Sequence, residues 1–292
     1  MTIARAGLIA RRTHAAAQSA LADAARWLET RGCQPVIEER SADEAGLQQW
    51  PTAAREILPE RVDVLIAFGG DGTLLDAAGA VAQSSADIPL FGVNLGHLGF
   101  LTEVGQAEMV GTLDALLAGR TRTETRLLLS GRLEHHGREI VNRVALNDIV
   151  VTRGALSRMI EIDVSIDGQF VSHVKADGLI IATATGSTAY NLSAGGPIVH
   201  PGVDAFVLTP IAPHTLTNRP IVLPATATVA MRPTADTTPS DFVVTFDGQQ
   251  GVPLGKDDVA IVQRAPRVLR LLRTTSRTHF DMLREKLKWG NV

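Results

Sequence analysis

The segment Phe68-Gly69-Gly70-Asp71-Gly72-Thr73 does most to limit what this chain can fold into. It follows the apolar run Val62-Asp63-Val64-Leu65-Ile66-Ala67 and precedes Leu74-Leu75-Asp76-Ala77-Ala78. A short apolar run, a glycine-rich turn and a second apolar stretch read as strand, tight loop and helix. Glycines let the backbone turn sharply and let its N–H groups approach a phosphate closely. A carboxylate in such a loop repels phosphate, so Asp71 implies a task beyond binding. It is a candidate to deprotonate a hydroxyl that attacks a phosphoryl group.

Around this loop the first third of the chain alternates. Ala6–Ala10 reads as a buried strand, and Ala17, Leu21, Ala24 and Leu28 fall at helical spacing before Gly32. Pro35–Ile37, Val62–Phe68 and Pro89–Val93 read as further strands. Strands alternating with helices imply a parallel α/β sheet, whose ligands bind beyond the carboxyl ends of the strands. Both the Gly69–Thr73 loop and the run Asn94-Leu95-Gly96-His97-Leu98-Gly99-Phe100-Leu101-Thr102-Glu103 sit at that edge.

Near Gly119 the texture changes. Arg126–Leu133, Ile140–Arg153, Met159–Ile166, Gln169–Lys175, Leu179–Thr183, Thr226–Met231 and Asp241–Phe246 are short strand-like runs, with Asp167-Gly168 as a hairpin turn. The expected organisation is an α/β domain over 1–120, a sandwich-like β domain over 121–265 and a tail over 266–292. The tail is basic, with Arg264, Arg267, Arg270, Arg273, Arg277, Arg284, Lys286 and Lys288, and reads as a solvated or inter-domain face with a helix over Phe280–Trp289.

Composition excludes several classes. A net charge of −3 gives no bulk reason to expect nucleic acid or an anionic membrane as partner. No run approaches the ~18 apolar residues of a membrane span. The single cysteine, Cys33, cannot form an internal disulfide and fits a reducing compartment, so a cytoplasmic location is expected. The histidines show no metal-ligand spacing, and no protein-built metal site is expected. There is no Gly-x-x-x-x-Gly-Lys motif and no Gly-x-Ser-x-Gly elbow.

Two further segments carry chemistry. The run from Asp177 to Pro197 leads a strand into Thr183-Ala184-Thr185-Gly186-Ser187-Thr188-Ala189-Tyr190-Asn191-Leu192-Ser193. Small hydroxylated residues and exposed backbone suit ribose and base edges. Tyr190, the only tyrosine, offers either a stacking face or core filling. In Leu146-Asn147-Asp148-Ile149 a polar pair interrupts an apolar strand. It is either a strand end or a recognition element, with the amide for an adenine edge and the carboxylate for ribose hydroxyls.

Together these pieces resemble the NAD kinase family. The resemblance rests on Gly69-Gly70-Asp71-Gly72-Thr73, on Asn94–Thr102, on Leu146-Asn147-Asp148, on Asp177–Pro197 and on Pro213-His214-Thr215-Leu216-Thr217-Asn218-Arg219-Pro220, with a weaker echo at Phe246-Asp247-Gly248-Gln249. It implies phosphorylation of the adenosine-ribose 2′-hydroxyl of NAD to give NADP. It also implies an N-terminal α/β domain, a C-terminal β domain and a tail that returns to the first. Carried over by position, Asp71 is the base, and Gly69, Gly70 and Thr73 belong to the phosphate loop. Gly72 lies beside the dinucleotide. Asn147, Asp148, Asp177, Thr188, Ala189, Tyr190, Asn191, Leu192, Ser193 and Gln249 contact the substrate, as do Arg158 and Lys175. The donor is ATP or polyphosphate, with Mg²⁺ arriving on its phosphates. The resemblance also implies a homodimer or homotetramer, with the site near a subunit boundary. Two alternatives share the loop or the fold. One is a lipid kinase of the diacylglycerol or sphingoid type, and the other is a non-catalytic NAD(H)-sensing module.

Overall fold

The computed structural model describes residues 3–96, 99–154, 159–215, 217–234, 242–249, 251–273 and 277–289. The chain divides into two compact units, Met1–Thr125 with Leu269–Val292, and Arg126–Val268.

The first unit is α/β. Its elements are β1 (Arg5–Ala10), α1 (Ala15–Thr30), β2 (Gln34–Glu38), α2 (Glu39–Ala45), β3 (Thr52–Ala53), β4 (Val64–Phe68), α3 (Asp71–Gln83), β5 (Pro89–Asn94), β6 (Val104–Gly105) and α4 (Met109–Leu117). The strands pair in parallel in the order β3-β2-β1-β4-β5. The strand sequence therefore reverses direction between β1 and β4, which is where α/β sheets open a crevice at their carboxyl edge. Strands β1, β4 and β5 are apolar almost throughout because both faces are covered, as parallel sheets require. Leu8, Ile37, Val64, Ile66, Phe68 and Val93 pack with Ala17, Leu21, Ala24 and Leu28 of α1.

The second unit is built from most of β7 (Arg122–His135), β8 (Arg138–Ala145), β9 (Asp148–Arg153), β10 (Ile160–Ile166), β11 (Gln169–Ala176), β12 (Gly178–Thr183), α5 (Tyr190–Ser193), β13 (Ala205–Ile211), β14 (Ile221–Pro224), β15 (Val229–Pro233), β16 (Phe242–Phe246), β17 (Val252–Leu254) and the first part of β18 (Asp258–Arg273). One antiparallel sheet runs β14-β13-β12-β9-β16-β17, and β11-β10-β15 join β18 in another. Their inner faces form a sandwich core with Ile149, Val151, Ile162, Val164, Ile181, Phe206, Phe242 and Val262. The Asp167-Gly168 turn has φ of 50° and 77°, the mirror-image geometry that matches strand twist in a two-residue hairpin. The apolar run expected over Ile140–Arg153 is two strands, broken at Leu146-Asn147.

The end of the chain belongs to the first unit, as the resemblance implies. Arg270 and Leu271 pair in parallel with Pro89 and Leu90 of β5, and α6 (His279–Leu287) follows, capped by Thr278 and Asp281. The basic tail, expected as a solvated or inter-domain face, is exposed at Arg264, Arg284 and Lys288 but turns inward at one position. Arg273 is buried at 4% exposure and ion-paired to Glu103, at the end of β18 where Leu271, Leu272 and Arg273 are all buried.

Candidate active site

In the first unit β4 delivers the chain to the carboxyl edge of the sheet, and α3 starts at Asp71 itself rather than after Thr73. The carboxylate thus stands in the first helical turn, where the helix dipole favours negative charge. Its neighbours come from the Asn94–Thr102 segment. Oδ2 accepts the Phe100 N–H at 2.8 Å. Oδ1 accepts the N–H groups of Leu101 at 3.1 Å and Thr102 at 3.0 Å, and the Thr102 hydroxyl at 2.9 Å. That hydroxyl in turn accepts from the Asn94 amide at 2.8 Å. Among the described residues, one carboxylate oxygen is therefore filled and the other accepts a single bond. Gly99 is obligatory in this arrangement, since a Cβ there would fall on the Asp71 carboxyl. Gly69 and Gly70 lead into the helix and Gly72 is exposed beside Asp71, followed by half-buried Thr73. Sequence reasoning passed over Arg11 and Arg12. They are exposed at the end of β1, and the Arg11 N–H donates to the Phe68 carbonyl at 2.8 Å. A cationic pair ending a strand was the available signal.

In the second unit a cavity of about 350 Å³ is lined by Asn147, Asp148, Val150, Thr152, Ala189, Tyr190, Thr245, Asp247 and Gly248. That lies at the small end of ligand pockets, roughly 300–1,000 Å³. Asp148, Val150 and Thr152 alternate along β9 and share one face, while Ile149 and Val151 enter the core. The break at Leu146-Asn147 is held by Asp247. Its carboxylate accepts the N–H groups of Leu146, Asn147 and Asp148 at 2.8, 2.7 and 3.1 Å. Asp247 adopts φ 51°, a left-handed conformation that Asp tolerates better than most residues. This grip was missed as a site feature; the echo at Phe246–Gln249 was the only trace of it. Gly186 packs directly on the Asn147 backbone, where a Cβ would overlap main-chain atoms. The Thr183–Thr188 turn and the Asn147 turn are thereby locked together, with the Thr183 hydroxyl donating to the Leu146 carbonyl at 2.6 Å.

The predicted contacts divide on this geometry. Asn147, Asp148, Ala189 and Tyr190 meet at the cavity, and exposed Gln249 closes the turn beside Gly248. Tyr190 is 45% exposed, so it borders the cavity instead of filling a core. Thr188, Leu192 and Ser193 lie on the adjoining turn without lining the cavity. Asn191 is fully buried; its amide donates to the Ser187 and Pro197 carbonyls and its oxygen accepts from Thr209. It holds the loop's shape. Asp177 pairs with Arg153 at 3.6 Å, and Lys175 with Glu161 at 2.7 Å across the β10–β11 ladder. Lys175 holds the Glu161 carboxyl below its usual range. Arg158 lies outside the described residues.

Two polar features of the cavity invite a ligand. The Asn147 side-chain oxygen is buried and has no hydrogen-bond partner among the described residues. Burial, and then the neighbouring Asp247 carboxylate, push Asp148 up to about 7. Because its folded pKa lies above the roughly 3.9 of an unfolded Asp, the folded protein binds this proton more tightly. The associated stability is full below about pH 4 and is lost as pH rises through about 7. Thermal melts between pH 5 and pH 8 should therefore show falling stability, and Asp148→Asn should flatten that slope. An unchanged slope in the variant would assign it to other groups.

A carboxylate held at the sheet edge of one unit and a nucleoside-sized cavity in the other define a class, and comparison with known proteins gives it: a two-domain kinase. Residues 6–121 match the ATP-NAD kinase N-terminal domain and residues 146–274 match the ATP-NAD kinase C-terminal domain. The NAD kinase of Geotalea daltonii is 44% identical over 264 residues, covering 90% of this chain and 91% of that one. That of Syntrophotalea carbinolica is 41% identical over 286 residues, covering 98% and 99%. In three dimensions a yeast NADH kinase complexed with NADH matches with TM-score 0.91 at 24% identity, over 100% of this chain and 89% of that one. An NAD kinase from Archaeoglobus fulgidus in complex with ATP matches with TM-score 0.75 at 23% identity, over 97% and 98%. The chain belongs to the NAD kinase family.

Proposed function

We infer that the protein phosphorylates the 2′-hydroxyl of the adenosine ribose of NAD, giving NADP, with Asp71 as general base and ATP or polyphosphate as donor. The observation that carries the reading is the nucleoside-sized cavity with an unpartnered buried Asn147 oxygen beside Asp148, in a chain whose curated relatives are NAD kinases. The Asn147 oxygen suits a donor such as the adenine amino group, Asp148 suits ribose hydroxyls, and Tyr190 offers a ring face to the base. Neither a lipid acceptor nor a purely sensing role has support in this family membership.

A ribose hydroxyl is a very weak acid, so its attack on a phosphoryl group needs a positioned base and charge compensation. The Asp71 oxygen with one N–H partner is the one suited to take the proton. Exposed Arg11 and Arg12, at the same edge of the sheet, suit the donor phosphates. A divalent cation bound mainly by those phosphates needs few protein carboxylates. When bound it offsets phosphate charge. Incubation of purified protein with NAD and Mg²⁺-ATP should generate NADP, read by an NADP-specific dehydrogenase, with polyphosphate and NADH as parallel arms. No NADP from any combination would overturn the reading.

A homodimer or homotetramer is part of the same proposal. The edge strands of both sheets expose apolar side chains, Phe170 at 65% on β11 and Val222 at 52% on β14. Such edges invite pairing unless covered. Lys175, next along β11, is then a candidate to reach a neighbour's ligand phosphate by exchanging Glu161 for it. Lys175→Glu should raise the NAD KM more than it lowers thermal stability. Light scattering across a dilution series is the direct check, and an active monomer at every concentration would sink the assembly. No helix among the described residues is long and apolar enough to cross a membrane.

A further inference from the structure

The basic tail has no task in the reaction as derived so far, yet two of its arginines end on the segment that grips Asp71. Arg273 donates from Nη1 to the Leu101 carbonyl at 3.2 Å, pairs through Nη2 with Glu103 at 3.3 Å, and through Nε with Glu124 at 3.6 Å. Arg277 donates from Nη1 to the Glu103 carbonyl at 2.6 Å and pairs with Glu108 at 3.7 Å. Arg273 therefore holds the peptide that precedes Thr102, and Arg277 holds the Glu103 carbonyl, one peptide beyond that of Thr102.

The consequence follows from the planarity of the peptide unit. The Leu101 carbonyl and the Thr102 N–H belong to one plane and point in opposite directions. Fixing that oxygen on Arg273 fixes the N–H, which donates to Asp71 Oδ1 at 3.0 Å. A guanidinium on the carbonyl also polarises the peptide and strengthens its N–H as a donor. Thr102 is fully buried, and its own carbonyl accepts the Gly99 N–H at 3.1 Å. Stability alone is a poor account of Arg273. A buried ion pair roughly breaks even against apolar packing, because desolvation cancels most of the attraction.

We propose that Arg273 and Arg277 are positioning residues, which hold Thr102 from behind so that Asp71 keeps Oδ1 filled and presents Oδ2 to the substrate hydroxyl. The proposal rests on Asp71 being the base. It gives the tail a catalytic reason to return to the first unit: the grip on the base closes only when the last segment of the chain is in place.

The test uses the full-length protein with Arg273→Lys, which keeps the buried charge opposite Glu103 but lacks the fork that also reaches Leu101, and Arg277→Gln, which removes the outer contact from a less buried site. Each is measured alone and together with Asp71→Asn. Misplacing a catalytic group by about 1 Å costs up to roughly 100-fold. The expected result is a kcat lowered about 10- to 100-fold with the NAD KM changed less than about threefold. In the Asp71→Asn background the same substitutions should leave the residual rate unchanged, because a positioning residue has nothing left to position. Circular dichroism melts establish that each variant is folded, and Arg277→Gln carries the test if Arg273→Lys is not. Unchanged kcat in the folded arginine variants, with Asp71→Asn inactive, would overturn this proposal and leave Asp71 as base. Equal losses with and without Asp71 would also overturn it. Full kcat in Asp71→Asn would remove both.

Discussion

Asp71→Asn should lower kcat by about 10²–10⁴-fold, the span general-base assistance usually supplies, while the NAD KM changes little. The substitution is nearly isosteric, and an amide oxygen at the Oδ1 position can still accept from Leu101 and Thr102. What is lost is a negatively charged oxygen at the Oδ2 position, where the amide nitrogen would face the Phe100 N–H. The cavity residues Asn147, Asp148 and Tyr190 are untouched. An effect on kcat without one on KM is the signature of an interaction made in the transition state. Steady-state rates over a range of NAD at saturating Mg²⁺-ATP measure it. A variant with most of its kcat would take Asp71 out of the chemistry and leave its four donors as a purely structural clamp.

The second large effect is expected at Asp247. Asp247→Asn preserves the tolerance for a left-handed backbone at φ 51°, so the turn itself should survive. One amide oxygen cannot replace a carboxylate that accepts three N–H groups from Leu146, Asn147 and Asp148. At least one buried donor is left unsatisfied, at a cost of about 1–3 kcal/mol. The cost falls on the backbone that aims the Asn147 and Asp148 side chains, so the NAD KM should rise about 5- to 150-fold with a smaller change in kcat. Removing the neighbouring charge should also draw Asp148 down from about 7, since Asp247 is the second cause of its raised value after burial. Calorimetric titration with NAD tests the first part. Unchanged affinity would mean that the turn holds its shape without the carboxylate.

Much of this molecule was legible in its sequence. The glycine loop carries its own backbone requirement, so strand, turn and helix follow from neighbouring residues. The buried parallel strands announce themselves as unbroken apolar runs and the β unit as short alternating ones. Asp167-Gly168 marks its hairpin, because only residues tolerant of positive φ close a two-residue turn. Resemblance to the NAD kinases, carried by motifs between Val62 and Pro220, points to the family, and the family match bears that out. Elements without a local signal were missed. Strand β3 has two residues and β6 two, too short for any periodicity. In strand β18 the arginines recur every third residue, at Arg264, Arg267, Arg270 and Arg273, which obscures the period of two that marks a strand.

What tertiary structure alone decided is which group serves which. Asp71 meets donors about thirty residues on, Asp247 reaches back 100 residues to Asn147, and Arg273 reaches back 172 to Leu101. Spacing along the chain encodes none of these pairings, because they follow from strand order and from the return of the tail. The same holds for residues that share one motif. Tyr190 and Asn191 are adjacent, yet the first borders the cavity and the second is spent on the loop's interior. Asp148 carries an ordinary side chain whose pKa was set by burial and by a carboxylate 99 positions away. Sequence determined the parts and their local shapes, since those depend on backbone preference and periodicity. The fold determined the charges, partners and exposed faces of those parts, since those depend on what long-range packing brings beside them.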